Sequence, residues 1–352
     1  MITFLVSDMN RNPLRKLLRR AGTRLPKMQI ITYQSAFRRL WVPGGTLVFT
    51  DFDLLTDYEL DAAGTIAAAV GSSGRILNAP TQALERAQML RHLHARGLNA
   101  VQVTRIEDEM PRRYPVFIRF QGGCERPDTD LLADEAAYNE AVRGLIASGR
   151  PLRGRIAVSY ETATDSAGFF RKYGAIRIGD HIIPQHILRA PGWYVKRSNS
   201  GLDADFAKEE LDFIHDNPHR DALIELFDAA GYQFGRADYT LRDGKIVLFE
   251  INSNPSFPKL TKYLCKHSER SRDLLEKINE AFQSIDDQTP ADRIRFELNM
   301  AVGHYVMRQR WSPIIRQLWR QRLVPSDQRA IIAQSTPEEM AQLMSAQQDR
   351  EA

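Results

Sequence analysis

The segment that begins at Arg236 contains two short apolar runs on either side of a four-residue turn, Arg242-Asp243-Gly244-Lys245. An Asp-Gly pair between β-prone runs is a strong signal for a tight hairpin turn, so the segment predicts two antiparallel strands. Because such strands pair outward from their turn, we expect Asp238 to lie near Glu250. Alternate residues of a strand share a face, so Asn252 is expected on the same face as Glu250.

Asp238, Glu250 and Asn252 supply carboxylate and amide oxygens, the hard ligands that Mg²⁺ prefers. We therefore predict that these residues bind Mg²⁺, with Mn²⁺ as the alternative metal. The other interpretation is a chance placement of acidic residues at a solvent-facing strand end. Glu250 argues against chance, because it follows the apolar run 246–249, where an unpaired carboxylate would be costly. Since neighbouring carboxylates repel each other, we expect Glu250→Gln to cause little loss of stability.

The composition is ordinary for a globular protein, since 43% of the 352 residues are hydrophobic and 26% are charged. The formal net charge of +4 is small for this length, so no nucleic-acid partner is expected. No apolar run is long enough to span a bilayer. Cys124 and Cys265 are the only cysteines, which excludes a disulfide framework. We expect a cytoplasmic protein.

The order of strand and helix signals predicts three regions. Strands alternate with helices over residues 1–80, which is typical of a small parallel α/β domain. Antiparallel strand signals with flanking helices predict an α+β region over 81–287. A polar break then leads into a helical, basic extension over 288–352. The predicted fold class is therefore α/β plus α+β.

The spacing of Asp238 from Glu250-x-Asn252, with a proline close behind, resembles the nucleotide–metal motif of the ATP-grasp superfamily. Segment 114–119 resembles the strand of that family that ends in a basic residue over the nucleotide phosphates. The resemblance covers residues 75–285 and is closest to the glutathione-synthetase-like branch, which includes ligases that add glutamate to ribosomal protein. It implies a small pre-ATP-grasp-like domain followed by an ATP-grasp domain.

The resemblance also implies which residues contact ATP. Arg119 stands where the family usually has Lys, and a surface Arg that closes a strand is the alternative interpretation. The nucleotide-binding residues implied are Arg119, Gly122 and Gly123 in a loop that closes over ATP, Glu161 beside adenine and ribose, and Arg171 and Lys172 at the phosphates. The residues implied in phosphoryl transfer are Arg119, Lys172 and Arg236.

The function implied is an ATP-dependent ligase that activates a carboxylate as an acyl phosphate and joins it to an amine or thiol, with Mg²⁺ bound. The substrates would be small molecules or peptides. A kinase of the same fold and a non-catalytic nucleotide-binding protein are the alternatives, and Arg119 in place of Lys keeps the second open. An interaction role for the arginine-rich segment 292–322 is a further alternative. The oligomeric state stays open, with a homo-oligomer as one outcome.

Overall fold

The computed structural model describes residues 1–10, 12–21, 25–71, 73–123, 126–196, 204–257, 268–287 and 292–303. Met1–Val302 forms one compact unit. Most of the basic extension predicted over 288–352 lies outside the described residues, so its helix stays a prediction. In the part of the chain that is described, no helix is long and apolar enough to cross a membrane.

The first region contains a four-stranded parallel sheet with helices packed against it. In chain order its elements are β1 (Ile2–Val6), α1 (Asn12–Ala21), β2 (Met28–Thr32), α2 (Tyr33–Arg39), β3 (Trp41–Pro43), β4 (Thr46–Phe49), α3 (Asp57–Gly71) and β5 (Arg75–Leu77). The strand order is β2-β1-β4-β5, and all of its pairings are parallel. Every residue of β1 is buried, as expected for a central parallel strand. The predicted parallel α/β region is confirmed.

The second region is built on antiparallel sheets. In chain order its elements are α4 (Arg86–Ala95), β6 (Val103–Arg105), β7 (Val116–Phe120), α5 (Glu135–Ala147), β8 (Arg155–Ser159), β9 (Phe170–Ile178), β10 (His181–Ala190), α6 (Ala204–Asp216), α7 (Arg220–Ala229), β11 (Phe234–Arg242), β12 (Lys245–Asn252), α8 (Ser268–Ile285) and β13 (Arg293–Arg295). One sheet has the order β6-β8-β7 and the other β10-β9-β11-β12. β13 follows this region, within the extension predicted as helical over 288–352, and it is instead a short strand that pairs with β3. The predicted α+β region is confirmed.

The predicted hairpin is formed by β11 and β12. Its turn residues Asp243 and Gly244 both have positive φ, 51° and 73°, which suits the Asp-Gly pair. Simple pairing outward from this turn would place Asp238 opposite Phe249. A register shift between Asp238 and Tyr239 adds one residue to β12, so Asp238 lies opposite Glu250 instead. The bulge thus brings the two predicted carboxylates together on one rung of the ladder.

The two regions are joined through Asn78, which follows β5 and is completely buried. Its side-chain amide donates to the carbonyl oxygens of Phe49 and Phe234 at 3.1 and 2.7 Å. Its side-chain oxygen accepts the main-chain N–H groups of Gln233 and Phe234 at 2.8 and 2.9 Å. Asn78 has φ 57°, a conformation that Asn tolerates better than most residues. The β5 end of the parallel sheet is therefore fixed to the start of β11.

Candidate functional site

A cleft of about 730 Å³, including its open mouth, lies between the two antiparallel sheets. β7 and β8 form one wall, β9, β11 and β12 form the other, and α4 closes one side. Its lining includes the charged residues Arg86, Arg119, Arg171, Lys172, Asp238 and Glu250 and the apolar or aromatic residues Leu90, Phe117, Val158, Tyr160, Phe170, Trp193, Tyr194, Val195 and Phe249. The cleft therefore combines a charged surface with an aromatic one.

Glu250 lies between two guanidinium groups. Its Oε2 is 2.6 Å from Nη2 of Arg86 and 3.3 Å from Nη1 of Arg119. Burial raises the pKa of this carboxyl, but the positive charges of Arg86 and Arg119 outweigh that effect and hold the pKa below its ordinary value. Glu250 is therefore ionised, and its negative charge is already balanced within the cleft.

Asp238 is buried and has two cationic partners of its own. Arg236 donates to Oδ1 at 2.7 Å and to Oδ2 at 3.3 Å, while Nζ of Lys172 lies 3.1 Å from Oδ2. Burial raises the pKa of Asp238, but the charges of Arg236 and Lys172 outweigh it and lower the pKa. The carboxylate is thus held ionised beside Glu250, its partner across the strands.

The cations around these two carboxylates outnumber them. Four positive groups, Arg86, Arg119, Lys172 and Arg236, surround the two negative groups, Asp238 and Glu250. Four positive charges less two negative charges leave an excess of two. Arg119 is also largely buried, and both this burial and the charge of Arg86 lower the pKa of its guanidinium group. A partly buried surface with excess positive charge favours a polyanion such as a chain of phosphates.

The predicted metal ligands lie together. Asp238 faces Glu250 across the strands, and Nδ2 of Asn252 lies 3.4 Å from Oε1 of Glu250. No group of three or more His, Cys, Asp and Glu side chains within the described ranges is arranged to hold a metal by itself. Two carboxylates and one amide nonetheless fit Mg²⁺, which usually takes one or two carboxylates and completes its shell with water and phosphate oxygens. The donor set therefore suits a metal that is shared with a phosphate ligand.

The predicted glycine loop lies beside the charged cluster. Arg86 donates to the carbonyl oxygens of Gln121 and Gly123, both at 2.8 Å. The main-chain N–H of Gly123 donates to Asp53 at 3.2 Å, which connects the loop to the first region. Gly123 has φ 73°, so this bend favours glycine. Arg86 thus holds the loop and Glu250 together.

Arg86 is the charged residue of the site that the sequence did not predict, and the aromatic residues described below were not predicted either. It opens α4, and its partner Glu250 is 164 positions away in the sequence. A positive charge in the first turn of a helix opposes the helix macrodipole, so it is an unusual position for Arg. That mismatch is the one local signal that points to a role outside the helix.

The aromatic part of the cleft is centred on Trp193. Its ring centroid lies 5.1 Å from that of Phe117 and 5.5 Å from that of Tyr160, and Tyr194 follows at 5.8 Å. Burial raises the pKa of Tyr160 to about 12, so its hydroxyl stays protonated at neutral pH. It donates to the carbonyl oxygen of Trp193 at 3.2 Å. Such a wall suits a flat, apolar ring.

Two predicted nucleotide-binding residues are engaged elsewhere. Glu161 is buried and pairs with Arg242 at 2.7 Å and with Arg113 at 3.1 Å, and it is not among the described residues that line the cleft. Arg171 lines the cleft, but its guanidinium is held by Asp165 at 2.6 Å and by Glu209. The nucleotide role assigned to each of them stays a prediction.

A buried carboxylate next to the site ties the two regions together a second time. Asp51 follows β4 and accepts hydrogen bonds from the main chain of Ser7 at 3.1 Å, from Asn10 at 2.7 Å and from Asn254 at 2.8 Å. Its own main-chain N–H donates to Oγ of Ser253 at 2.9 Å. The end of β12 that carries Glu250 is therefore anchored to the ends of β1 and β4.

Asp51 should make stability depend on pH. Burial raises its pKa from 3.8 to about 6, although its three hydrogen bonds act in the opposite direction. The unfolded chain then loses this proton at lower pH than the folded chain does. Between about pH 4 and 7, wild type should lose about 2 kcal/mol of stability relative to Asp51→Asn. Urea unfolding at several pH values measures this. The prediction is contradicted if the wild type does not lose stability relative to Asp51→Asn as the pH rises over this range.

Arg119 should matter for nucleotide binding because it contacts both Glu250 and the carbonyl of Gly123. Arg119→Ala should weaken ATP binding about tenfold, whereas Arg119→Lys should keep most of the affinity because it keeps the charge. Arg150→Ala, which removes a half-exposed Arg paired with Asp128, is the control. Titration calorimetry measures the affinities. Wild-type affinity in Arg119→Ala would return Arg119 to the surface-residue interpretation.

Comparison with known proteins finds similarity in structure alone. No protein-family profile matches the chain, and no curated protein sequence matches it. A RimK-domain ATP-grasp protein of Sphaerobacter thermophilus is similar with a TM-score of 0.45 and 13% identity, over 80% of this chain and 99% of that one. A D-alanine–D-alanine ligase of Bacillus anthracis, solved with ATP, has a TM-score of 0.44 and 12% identity over 81% and 97%. The ATP-grasp ligase PsnB, solved with a minimal precursor, has a TM-score of 0.47 and 10% identity over 80% and 98%.

These structures are of the kind that the sequence motifs resemble. At these TM-scores and identities, the similarity assigns no role to any residue of this chain.

Proposed function

We propose that the protein is an ATP- and Mg²⁺-dependent ligase that joins a carboxylate to an amine or a thiol through an acyl phosphate. The observation that carries this proposal is that one cleft combines an aromatic wall, an excess of positive charge and a pair of adjoining carboxylates. An aromatic wall suits a nucleobase, the cations suit phosphates, and the carboxylates with Asn252 suit the accompanying metal. A nucleoside triphosphate needs all three surfaces at once.

In this proposal, the base packs near Trp193 and the phosphates contact Arg119, Lys172 and Arg236. Asp238, Glu250 and Asn252 would hold Mg²⁺, which neutralises phosphate charge when bound. Each carboxylate is held ionised by its cations, which is the charge state that a metal ligand requires. The cations that now pair with the carboxylates would then exchange these contacts for contacts with the phosphates.

The chemistry has two steps. A substrate carboxylate oxygen attacks the γ-phosphorus of ATP, a P–O bond forms, and the bond to the β-phosphate oxygen breaks to release ADP. The amine or thiol then attacks the acyl carbon, loses a proton, and displaces inorganic phosphate. Charge on the transferred group is offset by Arg119 and Lys172 without a covalent bond to the protein. Positioning of the reactants supplies the rest of the rate enhancement.

A nucleotide-binding protein without turnover is the second candidate. It is favoured by the pairing of Oε2 of Glu250 with both Arg86 and Arg119, which keeps that oxygen engaged. A kinase of the same fold would use the same ATP contacts and differs only in its product. We also propose that the protein is cytoplasmic, as expected from the sequence.

Hydroxylamine trapping distinguishes these functions. Hydroxylamine attacks acyl phosphates directly, so it replaces the amine or thiol substrate, whose identity is then not needed. The protein is incubated with ATP, Mg²⁺, hydroxylamine and single members of a panel of amino acids, dicarboxylates and short peptides. A ligase should give ADP, phosphate and a hydroxamate with some panel members. ADP with a phosphorylated product that hydroxylamine does not consume would indicate a kinase, and ATP binding without ADP would indicate the non-catalytic candidate. Either outcome contradicts the ligase proposal.

A further inference from the structure

Three residues lie on one rung across β10, β9 and β11. Gly174 pairs with His186 on one side and with Asp238 on the other. Residues directly opposite each other on adjacent strands share a face of the sheet, so His186 is on the face that carries Asp238. A register shift between Pro184 and His186 produces this arrangement, because regular pairing would place Gln185 opposite Gly174.

Gly174 makes room for the imidazole of His186. A Cβ atom at position 174 would lie 2.6 Å from Cε1, 2.7 Å from Nε2 and 3.2 Å from Nδ1 of that ring. The backbone itself does not require glycine, since Gly174 is not one of the glycines with positive φ in the described chain. The ring therefore lies over Gly174, on the strand that separates it from Asp238 and on the same face of the sheet. Its positive charge, after those of Arg236 and Lys172, also lowers the pKa of Asp238. A larger residue at position 174 would therefore collide with the imidazole of His186.

We propose that His186 is a positioning residue that orients the metal ligand Asp238 across Gly174. The inference rests on the proposed Mg²⁺–nucleotide function. Lys172 and Arg236, the other partners of Asp238, are the groups that would contact the phosphates. His186 is then the partner that stays with the carboxylate when the nucleotide binds. Outer groups of this kind fix the direction of a ligating carboxylate and thereby tune metal affinity.

The experiment measures the Mg²⁺ concentration that half-saturates the gain in affinity for a fluorescent ATP analogue. His186→Ala should raise this concentration about tenfold, while affinity for the analogue in chelator stays unchanged. Gly174→Ala should cause the same shift, because its methyl group displaces the ring. His181→Ala, an exposed His on the same strand, is the matched control and should behave as wild type. Melting temperatures are recorded for every variant.

Amide replacements separate orientation from a purely structural role. His186→Asn and His186→Gln place an N–H near the positions of Nδ1 and Nε2, and at least one of them should restore the wild-type Mg²⁺ requirement. If a folded His186→Ala or Gly174→Ala protein needs the same Mg²⁺ concentration as the wild type, the inference about His186 is wrong, while the proposed function is unaffected. Restoration by neither amide, with normal melting temperatures, would lead to the same conclusion. If the wild type shows no Mg²⁺-dependent binding of the analogue, the proposed function and this inference both fail.

Discussion

Replacing Glu250 with Gln is expected to lower ATP turnover on the order of 100-fold and to lower the melting temperature as well. Turnover falls because the neutral amide of Gln binds Mg²⁺ more weakly than the negatively charged carboxylate that it replaces. Stability falls because the guanidinium groups of Arg86 and Arg119 lose their shared counter-charge in a partly buried cluster. Removing one partner from such a cluster costs about 3 kcal/mol.

Activity and stability are measured on the same preparation, by ADP release and by urea unfolding. Glu85→Gln is the control, since Glu85 pairs with Arg105 but both side chains are more than one third exposed. That pair is worth about 0.5 kcal/mol, so the control should be nearly neutral. A Glu250→Gln protein with wild-type turnover would contradict the assignment of the site. An unchanged or raised melting temperature would show that Glu250 does not balance the two guanidinium groups.

Asn78→Ala is expected to cause the largest loss of stability, about 3 kcal/mol or more. The substitution leaves two buried carbonyl oxygens and two buried N–H groups without their present partner. It also places Ala at φ 57°, which adds local strain. Urea unfolding measures this loss as a change in the free energy of unfolding.

Two further substitutions separate the causes. Asn78→Gly removes the same hydrogen bonds but accepts the positive φ, so it should be less harmful than Ala by about 1 kcal/mol. Asn78→Asp keeps the accepting oxygen but places a second oxygen against the carbonyl oxygens of Phe49 and Phe234, so it should lose both of those bonds and add the cost of a buried charge. A loss below about 1 kcal/mol in Asn78→Ala would mean that Asn78 does not fix the two regions together.

The hairpin could be predicted from the sequence because its determinants are local. The Asp-Gly turn lies between its own two strands, and the spacing of Glu250 and Asn252 sets their common face. The bulge that brings Asp238 opposite Glu250 could not be predicted, because the turn and the alternation of residues predict regular pairing. The sequence motif predicted that Asp238 lies near Glu250, which the structure shows, although regular pairing from the turn would place Asp238 opposite Phe249.

The partners of the carboxylates could not be predicted either. The sequence places two negative charges together and so indicates repulsion, which makes Glu250→Gln neutral for stability. The structure places Arg86 and Arg119 on Glu250, and this reverses the expected sign. Arg86 comes from a helix far away in the sequence, and its contact with Glu250 is a property of tertiary packing. Charge balance in a cleft is therefore a result of the fold, which local spacing does not encode.

The central claim is that the cleft binds ATP together with a metal on Asp238, Glu250 and Asn252. The most direct measurement is titration calorimetry of ATP with the wild type and with Glu250→Gln, each in excess Mg²⁺ and in chelator. The wild type should bind ATP at least about tenfold more tightly with Mg²⁺, and this gain should disappear in Glu250→Gln. Equal affinity of the wild type in Mg²⁺ and in chelator, or an undiminished gain in Glu250→Gln, would contradict the claim.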